Sequence, residues 1–341
     1  MSAADKITYP DQLRHTLHGH TGPVNTVRYN HTYKYCLSGG SDKTIRLWNP
    51  VTGALVKGYE GSRMEVLGLD IAPDNATFTS CGQEKDLYLW DVPTGHILRK
   101  FSGHYGRINT VRFSGSVQPG VRNSGSSVIL SGSFDSKVMI WDVRSQNRAP
   151  IQTLQEGRDS VTSIEVPPLS SAEGGGGLGQ VVVGGVDGTV RTYDVRMGKM
   201  VEDVIAAPVT SIVLSPTTPR ETILVASLDS KVRLMDRSNG QMLNTFGGPD
   251  NPTPSRATFE NTSYRSKVAF GYGERSVLAG DEKGGLWVWD IVSAKTVTPD
   301  QEPRKVHEKV ITWIEHHPTR ADEMLTASAD GTIKVWESKK E

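Results

Sequence analysis

The feature that most constrains this chain is a short phrase that recurs seven times along its 341 residues. The first copy reads SGGSDKTIRLWN and the last reads ASADGTIKVWES. Each copy contains an aromatic or large apolar anchor, and successive anchors are 42, 51, 52, 42, 54 and 47 residues apart: Trp48, Trp90, Trp141, Tyr193, Met235, Trp289 and Trp336. Self-similarity at such a period indicates one structural unit that is repeated and stacked.

Each copy has the pattern of a small β-sheet. Short runs rich in Val, Ile, Thr and Tyr alternate apolar and polar residues between Gly, Asn, Asp and Pro, which predicts strands joined by tight turns. In the first copy the predicted strands are residues 24–29, 34–38, 44–48 and 54–59. Six residues before each anchor is a turn position, acidic in all copies but one: Asp42, Glu84, Asp135, Asp187, Asp229, Lys283 and Asp330.

The predicted sheets need one another. A four-stranded sheet cannot bury both faces alone, so seven of them are expected to stack in a ring that leaves no open end. Only five residues follow Trp336, too few for a fourth strand, whereas residues 12–18 form a strand before the first copy. We therefore predict an all-β, seven-bladed propeller over residues 11–341, closed by its N-terminal strand, with residues 1–10 as a tail.

The copies resemble WD40 repeats over about residues 11–338, because Gly19-His20 and Gly103-His104 open units that end in Trp48-Asn49 and Trp141-Asp142. In that family a His, a Ser or Thr, the turn Asp and the Trp form a buried hydrogen-bonded chain. Two copies match it at every position: His20, Ser38, Asp42 and Trp48 in the first, and His104, Ser131, Asp135 and Trp141 in the third.

The other copies depart from the tetrad, and we expect their blades to be held more weakly. The departures are Ser62 in place of His and Glu84 in place of Asp in the second copy, Tyr193 and Met235 in place of Trp, Lys283 in place of Asp in the sixth, and His307 one residue out of register in the seventh.

Composition excludes several classes of protein. The 38 basic and 38 acidic residues give no net charge, which argues against a nucleic-acid or membrane-surface protein. No apolar run approaches the roughly 18 residues that cross a bilayer, and the first residues hold no signal-peptide core. We expect an intracellular protein, with Cys36 and Cys81 as reduced, buried strand residues.

The antiparallel pattern assigns every connection to one of two faces. If the strands of a unit are a, b, c and d in chain order, the d-to-a and b-to-c connections form a first face, and the a-to-b and c-to-d connections form a second face. Insertions at 114–127 and 167–180 then belong to the second face, and the Pro-rich insertion at 247–262 belongs to the first. The glycine-rich 167–180 stretch lacks a following GK[ST] and helix, so we interpret it as a loop and not a nucleotide site.

Large and basic residues converge on the first face of consecutive blades. They form a predicted partner-binding patch, which we call the first-face patch: Arg63, Met64, Tyr105, Arg107, Phe134 and Arg158. Arg, Tyr, Met and Phe are typical of interaction hot spots. The alternative is a solvated rim in which the Arg residues pair with Glu65, Glu156 or Asp159.

The second face carries two Asp-x-Arg boxes on adjacent blades, Asp142 with Arg144 and Asp194 with Arg196. They resemble the boxes of substrate receptors that dock on the adaptor of a cullin-RING ubiquitin ligase. The alternative is that each Arg only braces its own Asp.

The motifs of catalysis and metal binding are missing from the sequence. His15, His18 and His20 straddle a strand and its turn without a matching ligand set, and no G-x-S-x-G or HExxH motif occurs. We therefore predict no enzyme activity, cofactor or metal. Single-stranded RNA binding by the Arg rim, with Tyr105 stacking on a base, remains a further hypothesis.

Several phrases between residues 77 and 243 lie outside the generic repeat, among them GHILRKFSGHYGRINTVRF and QTLQEGRDSVTS. They resemble the mitogen-activated protein kinase organiser family of spliceosome-associated WD-repeat scaffolds. The resemblance implies a non-catalytic adaptor of the nucleus and cytoplasm whose partners are splicing factors, components of a MAP-kinase module, or both. We expect a monomeric propeller inside larger complexes, with indirect or weak RNA contact and no membrane contact.

Overall fold

The structure is a computed structural model that describes residues 9–114, 127–167, 179–216, 221–248, 257–298 and 302–338. Within these ranges the chain forms seven antiparallel four-stranded sheets, and its only helical turn is a 3-10 turn at Tyr272–Glu274. The sheets are the blades of one propeller, so the predicted all-β, seven-bladed fold is confirmed.

Blades 1 to 4 follow the repeat in chain order, each running from the innermost to the outermost strand. Their strands are β2 (Val24–Tyr29), β3 (Cys36–Gly40), β4 (Ile45–Asn49) and β5 (Ala54–Tyr59); β6 (Val66–Ile71), β7 (Thr77–Gly82), β8 (Asp86–Asp91) and β9 (Ile97–Ser102); β10 (Ile108–Ser114), β11 (Val128–Ser133), β12 (Val138–Asp142) and β13 (Gln152–Leu154); β14 (Val161–Glu165), β15 (Gln180–Gly185), β16 (Thr189–Asp194) and β17 (Lys199–Val204).

Blades 5 to 7 complete the ring, and the outermost strand of blade 7 comes from the N-terminus. Their strands are β18 (Val209–Leu214), β19 (Thr222–Ser227), β20 (Lys231–Asp236) and β21 (Met242–Gly247); β22 (Ala269–Phe270), β23 (Ser276–Gly280), β24 (Gly285–Asp290) and β25 (Arg304–Lys305); β26 (Ile311–His316), β27 (Glu323–Ser328), β28 (Ile333–Glu337) and β1 (Gln12–Leu17).

The ring is closed by β1, as the sequence predicts, although the strand ends at Leu17 and not at residue 18. It pairs antiparallel with β28, placing Leu17 opposite Ile333, and the Leu17 side chain is buried. The Arg14 guanidinium lies 3.7 Å from the Glu337 carboxylate. Both chain ends therefore belong to one sheet, which couples the first and last parts of the chain.

The predicted strands of the first copy are close to the observed ones. The first and fourth agree with β2 and β5, whereas β3 begins two residues later than predicted and β4 one residue later. The shift arises because the loop residues 30–35 are held by the Asn30 side chain, whose Oδ1 accepts from the amides of Lys34 and Tyr35.

Small residues on the second strand of each blade let the next blade approach. A Cβ on Gly132 would lie 2.4 Å from Val161 Cγ1 of the following blade, and one on Gly39 would lie 2.5 Å from Val66 Cγ1. The equivalent positions in the other blades, by strand register, are Cys81, Gly184, Ala226, Gly280 and Ala327. Both cysteines are free and buried in strands, as predicted, and burial raises the pKa of the Cys81 thiol to about 12.

In the described residues, side-chain hydrogen bonds join five of the seven neighbouring pairs of innermost strands. The donor is the side chain of the second residue of an innermost strand, or of the equivalent residue in blade 6. The acceptor is the carbonyl oxygen of the first residue of the innermost strand in the next blade. Asn109 Nδ2, for example, donates to Val161 O at 2.7 Å. Five blades make this bond, with the donors Asn25, Asn109, Thr162, Ser266 and Thr312. The innermost strands are thus fixed relative to one another around a central channel.

The insertions lie largely outside the described residues. Of the stretch at 114–127 only its two ends are described, of 167–180 only residues 167, 179 and 180, and of 247–262 only residues 247–248 and 257–262. The first two insertions lie between strands a and b of blades 3 and 4, and the third lies between blade 5 and blade 6. The assignment of these insertions to the two faces stays a prediction.

Candidate functional site: the first face and its supporting tetrads

The first-face loops are positioned by the turn carboxylates. In blade 3 the Asp135 carboxylate accepts from the Tyr105 amide at 2.9 Å, and in blade 4 the Asp187 carboxylate accepts from the Arg158 amide at 3.1 Å. In blade 2, Glu84 does the same for Arg63 at 2.6 Å. Because each acid binds the equivalent loop residue, the side chains of Arg63, Tyr105 and Arg158 project from matching places on three adjacent blades.

The two complete tetrads form as predicted. In blade 1, His20 Nδ1 lies 2.9 Å from Asp42 Oδ2, His20 Nε2 lies 2.8 Å from Ser38 Oγ, and the Trp48 indole donates to the same Oγ at 2.8 Å. In blade 3 the corresponding group is His104, Ser131, Asp135 and Trp141, with distances of 3.0, 2.8 and 2.8 Å. Each hydrogen-bonded tetrad links a first-face loop to the interior of its own sheet.

The expectation for blade 7 was wrong, because its tetrad is complete. His307 Nδ1 lies 2.9 Å from Asp330 Oδ2, His307 Nε2 lies 2.8 Å from Thr326 Oγ1, and the Trp336 indole donates to Thr326 Oγ1 at 2.8 Å. The sequence did contain the signal. His307 precedes the first residue of its innermost strand by four positions, the same interval as from His20 to Val24.

Blade 6 has a different acid in place of the predicted turn position. Asp281, two residues before Lys283, is buried and accepts from the Trp287 indole at 2.9 Å and from the Gly285 amide at 2.7 Å. The Lys283 side chain is 72% exposed and pairs with Glu260 at 3.0 Å. In blade 6, Asp281 therefore supplies the buried carboxylate that the turn acid supplies in other blades, and Lys283 is a surface residue.

Blades 4 and 5 replace the missing tetrad His with another group, whereas blade 2 keeps only the hydrogen bond of its Trp. In blade 2 the Trp90 indole still donates to Ser80 Oγ at 2.8 Å, although no His stands at Ser62. In blade 4, Arg191 donates to Asp187 at 2.7 Å, and in blade 5, Arg233 donates to Asp229. An Arg on the third strand thus supplies the charge-assisted hydrogen bond that His supplies elsewhere.

The centre of the first-face patch is an aromatic and cationic group on blade 3. Tyr105 is 75% exposed and Phe134 is 55% exposed. The Arg107 guanidinium lies 5.1 Å from the centroid of the Phe134 ring, and Lys137 Nζ lies 5.5 Å from the centroid of Tyr105. These are cation–π distances, so both rings are held in place and still present open faces to solvent.

The flanks of the patch lie on blades 2 and 4. Arg63, Met64 and Arg158 are all exposed, with Met64 at 49%. Within the described ranges, none of Arg63, Arg107 and Arg158 forms an ion pair with Glu65, Glu156 or Asp159. The pairing that a solvated rim requires is therefore not observed there.

The carboxylate beneath the patch is firmly ionised. Burial acts to raise the pKa of Asp135, but hydrogen bonds from His104 and from the Tyr105 and Lys137 amides outweigh it and lower the pKa to about 2. The acid that orders the Tyr105 loop therefore keeps its charge throughout the physiological range.

The Asp-x-Arg boxes lie on the second face with both arginines exposed. Arg144 also contacts its own acid, because its Nε lies 3.4 Å from Asp142 Oδ1. In both boxes the Asp accepts from the backbone amide of the Arg, at 2.8 Å for Arg144 and 3.1 Å for Arg196. Each Asp thus closes its own turn and directs the Arg outward.

Other candidate groups have structural partners. His15 Nε2 lies 3.0 Å from Val51 O, His20 belongs to the blade 1 tetrad, and His18 is exposed. In the part of the chain that the structure describes, no group of three His, Cys, Asp or Glu side chains is arranged to hold a metal ion. No helix in those ranges is long and apolar enough to span a membrane.

A cluster of charges in the central channel is not among the predicted sites. The fifth residue of five innermost strands is charged: Arg28, Asp70, Arg112, Glu165 and Glu315. A charged residue at the same position of several innermost strands is the signal that could have revealed it, because buried charges require partners.

Comparison with known proteins agrees with this architecture. The family model described as "WD domain, G-beta repeat" matches residues 11–49 and 304–337, and the model described as "Nucleolar protein 10-like, N-terminal domain" matches residues 64–262. WD repeat domain-containing protein 83 of Rattus norvegicus is 35% identical over 327 residues, covering 96% of this chain and 92% of the relative.

Two further relatives carry the same name. The homolog of WD repeat domain-containing protein 83 in Dictyostelium discoideum is 28% identical over 340 residues, covering 94% of this chain and 96% of the relative. The Homo sapiens protein is 34% identical over 327 residues, covering 96% and 92%. On the shared repeats, the closed seven-bladed ring and this end-to-end similarity, the chain belongs to the WD repeat domain-containing protein 83 family of WD40 propellers.

Proposed function

We propose that this chain is a non-catalytic scaffold that binds partner proteins through the first-face patch. The observation that carries the proposal is the set of exposed aromatic and basic side chains on three consecutive blades, centred on Tyr105 and Phe134. Aromatic residues and arginines are enriched at the cores and hot spots of protein interfaces. WD40 propellers in general mediate protein–protein interactions, which favours this reading over catalysis.

The proposed partners are splicing factors, components of a MAP-kinase module, or both, and the proposed location is the nucleus and cytoplasm. This assignment rests on the resemblance to the mitogen-activated protein kinase organiser family. A rigid ring suits such a role, because partners bound on different arcs are held at high effective concentration without new chemistry.

The test is charge reversal on the first face. Arg107→Glu with Arg158→Glu should remove part of the set of proteins recovered by affinity purification from native extract with nuclease treatment. Both side chains are exposed, so the fold should be unaffected. The matched control reverses two exposed second-face arginines, Arg144→Glu with Arg196→Glu. An unchanged set of partners in the first-face variant would refute the patch.

The same pair of variants examines a second candidate function. Exposure of both Arg144 and Arg196 on one face favours a substrate receptor of a cullin-RING ligase, since an adaptor could contact both. Loss of a ligase adaptor in the second-face variant alone would support that function. Direct RNA binding predicts instead a salt-dependent gel shift that the first-face variant abolishes.

A further inference from the structure

When Lys267 is protonated, the described residues of the central channel carry more positive than negative charge. Its ion pairs join Arg28 to Asp70 at 2.9 Å, Arg112 to Glu165 at 2.9 Å, and Lys267 to Glu165 at 3.5 Å. Glu315 lies 3.9 Å from Arg28. With Arg265 included, four cations face three carboxylates: Arg28, Arg112, Arg265 and Lys267 against Asp70, Glu165 and Glu315.

Arg265 is the cation without a counter-charge. Its Nη1 donates to the carbonyl oxygen of Asn109 at 2.6 Å, so it reaches across the channel from blade 6 to blade 3. Among the residues that the structure describes, no carboxylate lies within ion-pair distance of it. The Arg265 side chain is partly buried, and a partly buried cation that has only a neutral acceptor favours a nearby negative group.

The excess charge surrounds a cavity of 20 Å³. Three of its lining side chains are the cations Arg112, Arg265 and Lys267, and none of its lining residues is acidic. Two of the lining residues also have a buried polar atom with no hydrogen-bond partner within the described part of the chain, Arg112 Nε and Thr210 Oγ1. Both can donate into the cavity, because a guanidinium Nε carries a hydrogen and a hydroxyl can rotate.

The titration of the cluster agrees with a positive potential. Burial lowers the pKa of Lys267 to about 7, and the neighbouring Arg112 charge acts in the same direction. Burial likewise lowers the pKa of Arg265 to about 10, with the charges of Arg112 and Arg107 adding to the effect. Glu165 alone does not neutralise the cluster.

We propose that this cavity binds one small monovalent inorganic anion of halide size. The volume suits a single species about as large as water, and it is too small for a tetrahedral oxyanion with its hydrogen-bond partners. A water molecule could satisfy the two donors but could not balance the extra charge that is present when Lys267 is protonated. The anion would join blades 3, 5 and 6 through Arg112, Thr210, Arg265 and Lys267.

Bromide diffraction tests the proposal directly on the unmodified protein. Crystals grown with sodium bromide should give an anomalous peak in the cavity, next to Arg112 Nε and Thr210 Oγ1. A cavity that holds density without an anomalous signal, while bromide is seen elsewhere on the protein, would overturn the proposal in favour of water.

Thermal unfolding provides the solution test. At equal ionic strength, the melting temperature should be higher in sodium chloride than in sodium gluconate, whose anion is too large to enter, and should rise with chloride concentration. Arg265→Met should weaken the apparent chloride affinity by about tenfold or more. The matched control, Arg144→Met, removes an exposed arginine and should keep the full chloride effect.

Thr210→Val is the second variant, in case Arg265→Met does not fold. It keeps the shape of the side chain and removes only the hydroxyl donor, so the chloride effect should weaken without a change of fold. Equal melting temperatures of the wild-type protein in the two salts, or an undiminished chloride effect in a folded variant, would refute the anion site. Neither result would bear on partner binding at the first face.

Discussion

Replacing Asp281 by Ala should destabilise blade 6 as strongly as replacing Asp135 by Ala destabilises blade 3, although Asp281 lies outside the repeated turn position. The Asp281 side chain is buried and accepts three hydrogen bonds. The donors are the Trp287 indole at 2.9 Å, the Gly285 amide at 2.7 Å and the Lys283 amide at 2.9 Å.

The expected magnitude follows from the donors that lose their acceptor. The Trp287 indole and the Gly285 amide are both buried, and one orphaned buried donor costs about 1–3 kcal/mol. We expect a loss of about 3 kcal/mol, because some relaxation will rehydrate the Lys283 amide near the surface. For a chain of this size that corresponds to a fall in melting temperature of about 4 °C. Asp135→Ala, which deprives His104 and two amides of their acceptor, should cost a similar amount.

Lys283→Ala is the control, and it should leave the melting temperature unchanged within error. The side chain is 72% exposed and its partner Glu260 is 43% exposed, so solvent screens their attraction. Circular dichroism reports the whole ring, and tryptophan fluorescence includes Trp287 itself. Equal melting shifts for Asp281→Ala and Lys283→Ala would refute the reasoning, as would a larger shift for Lys283→Ala than for Asp135→Ala.

Three further predictions concern packing, closure and pH. Gly132→Ala should lower the free energy of unfolding by about 1–3 kcal/mol, since the new Cβ would lie 2.4 Å from the next blade. The control Gly58→Ala, whose Cβ would meet nothing within 4 Å, should be neutral in the same melting assay. Leu17→Ala should lower the free energy of unfolding by about 2–5 kcal/mol, because it opens a void in the closing sheet. Leu13→Ala, on the same strand but 48% exposed, should have little effect. Similar losses of stability in the two variants would contradict a packed closure. Because the pKa of Asp135 is lowered to about 2, below an unfolded value of about 4, its contribution is complete above pH 4 and is lost as the pH falls towards 2. The wild-type protein should therefore lose stability over that interval more steeply than Asp135→Asn, as acid titration of the melting temperature would show.

The sequence by itself determined the number of blades and the way the ring closes. Strand patterns, turn residues and the repeated anchor are local properties, and a sheet with two apolar faces has few ways to bury them. For the same reason, the extra N-terminal strand could be predicted to complete the last blade, whose own repeat lacks a fourth strand. The tetrads of blades 1 and 3 were predictable because their four residue types occur at fixed positions relative to the strands.

Only the tertiary structure decided which groups complete the irregular blades and what faces the channel. Asp281 replaces the turn acid because its carboxylate reaches the Trp287 indole, a contact that residue spacing alone does not encode. The charge imbalance around Arg265 arises from side chains on different blades that meet at the axis. Such a juxtaposition depends on the ring as a whole, since residues far apart in sequence become neighbours only when all seven sheets are in place.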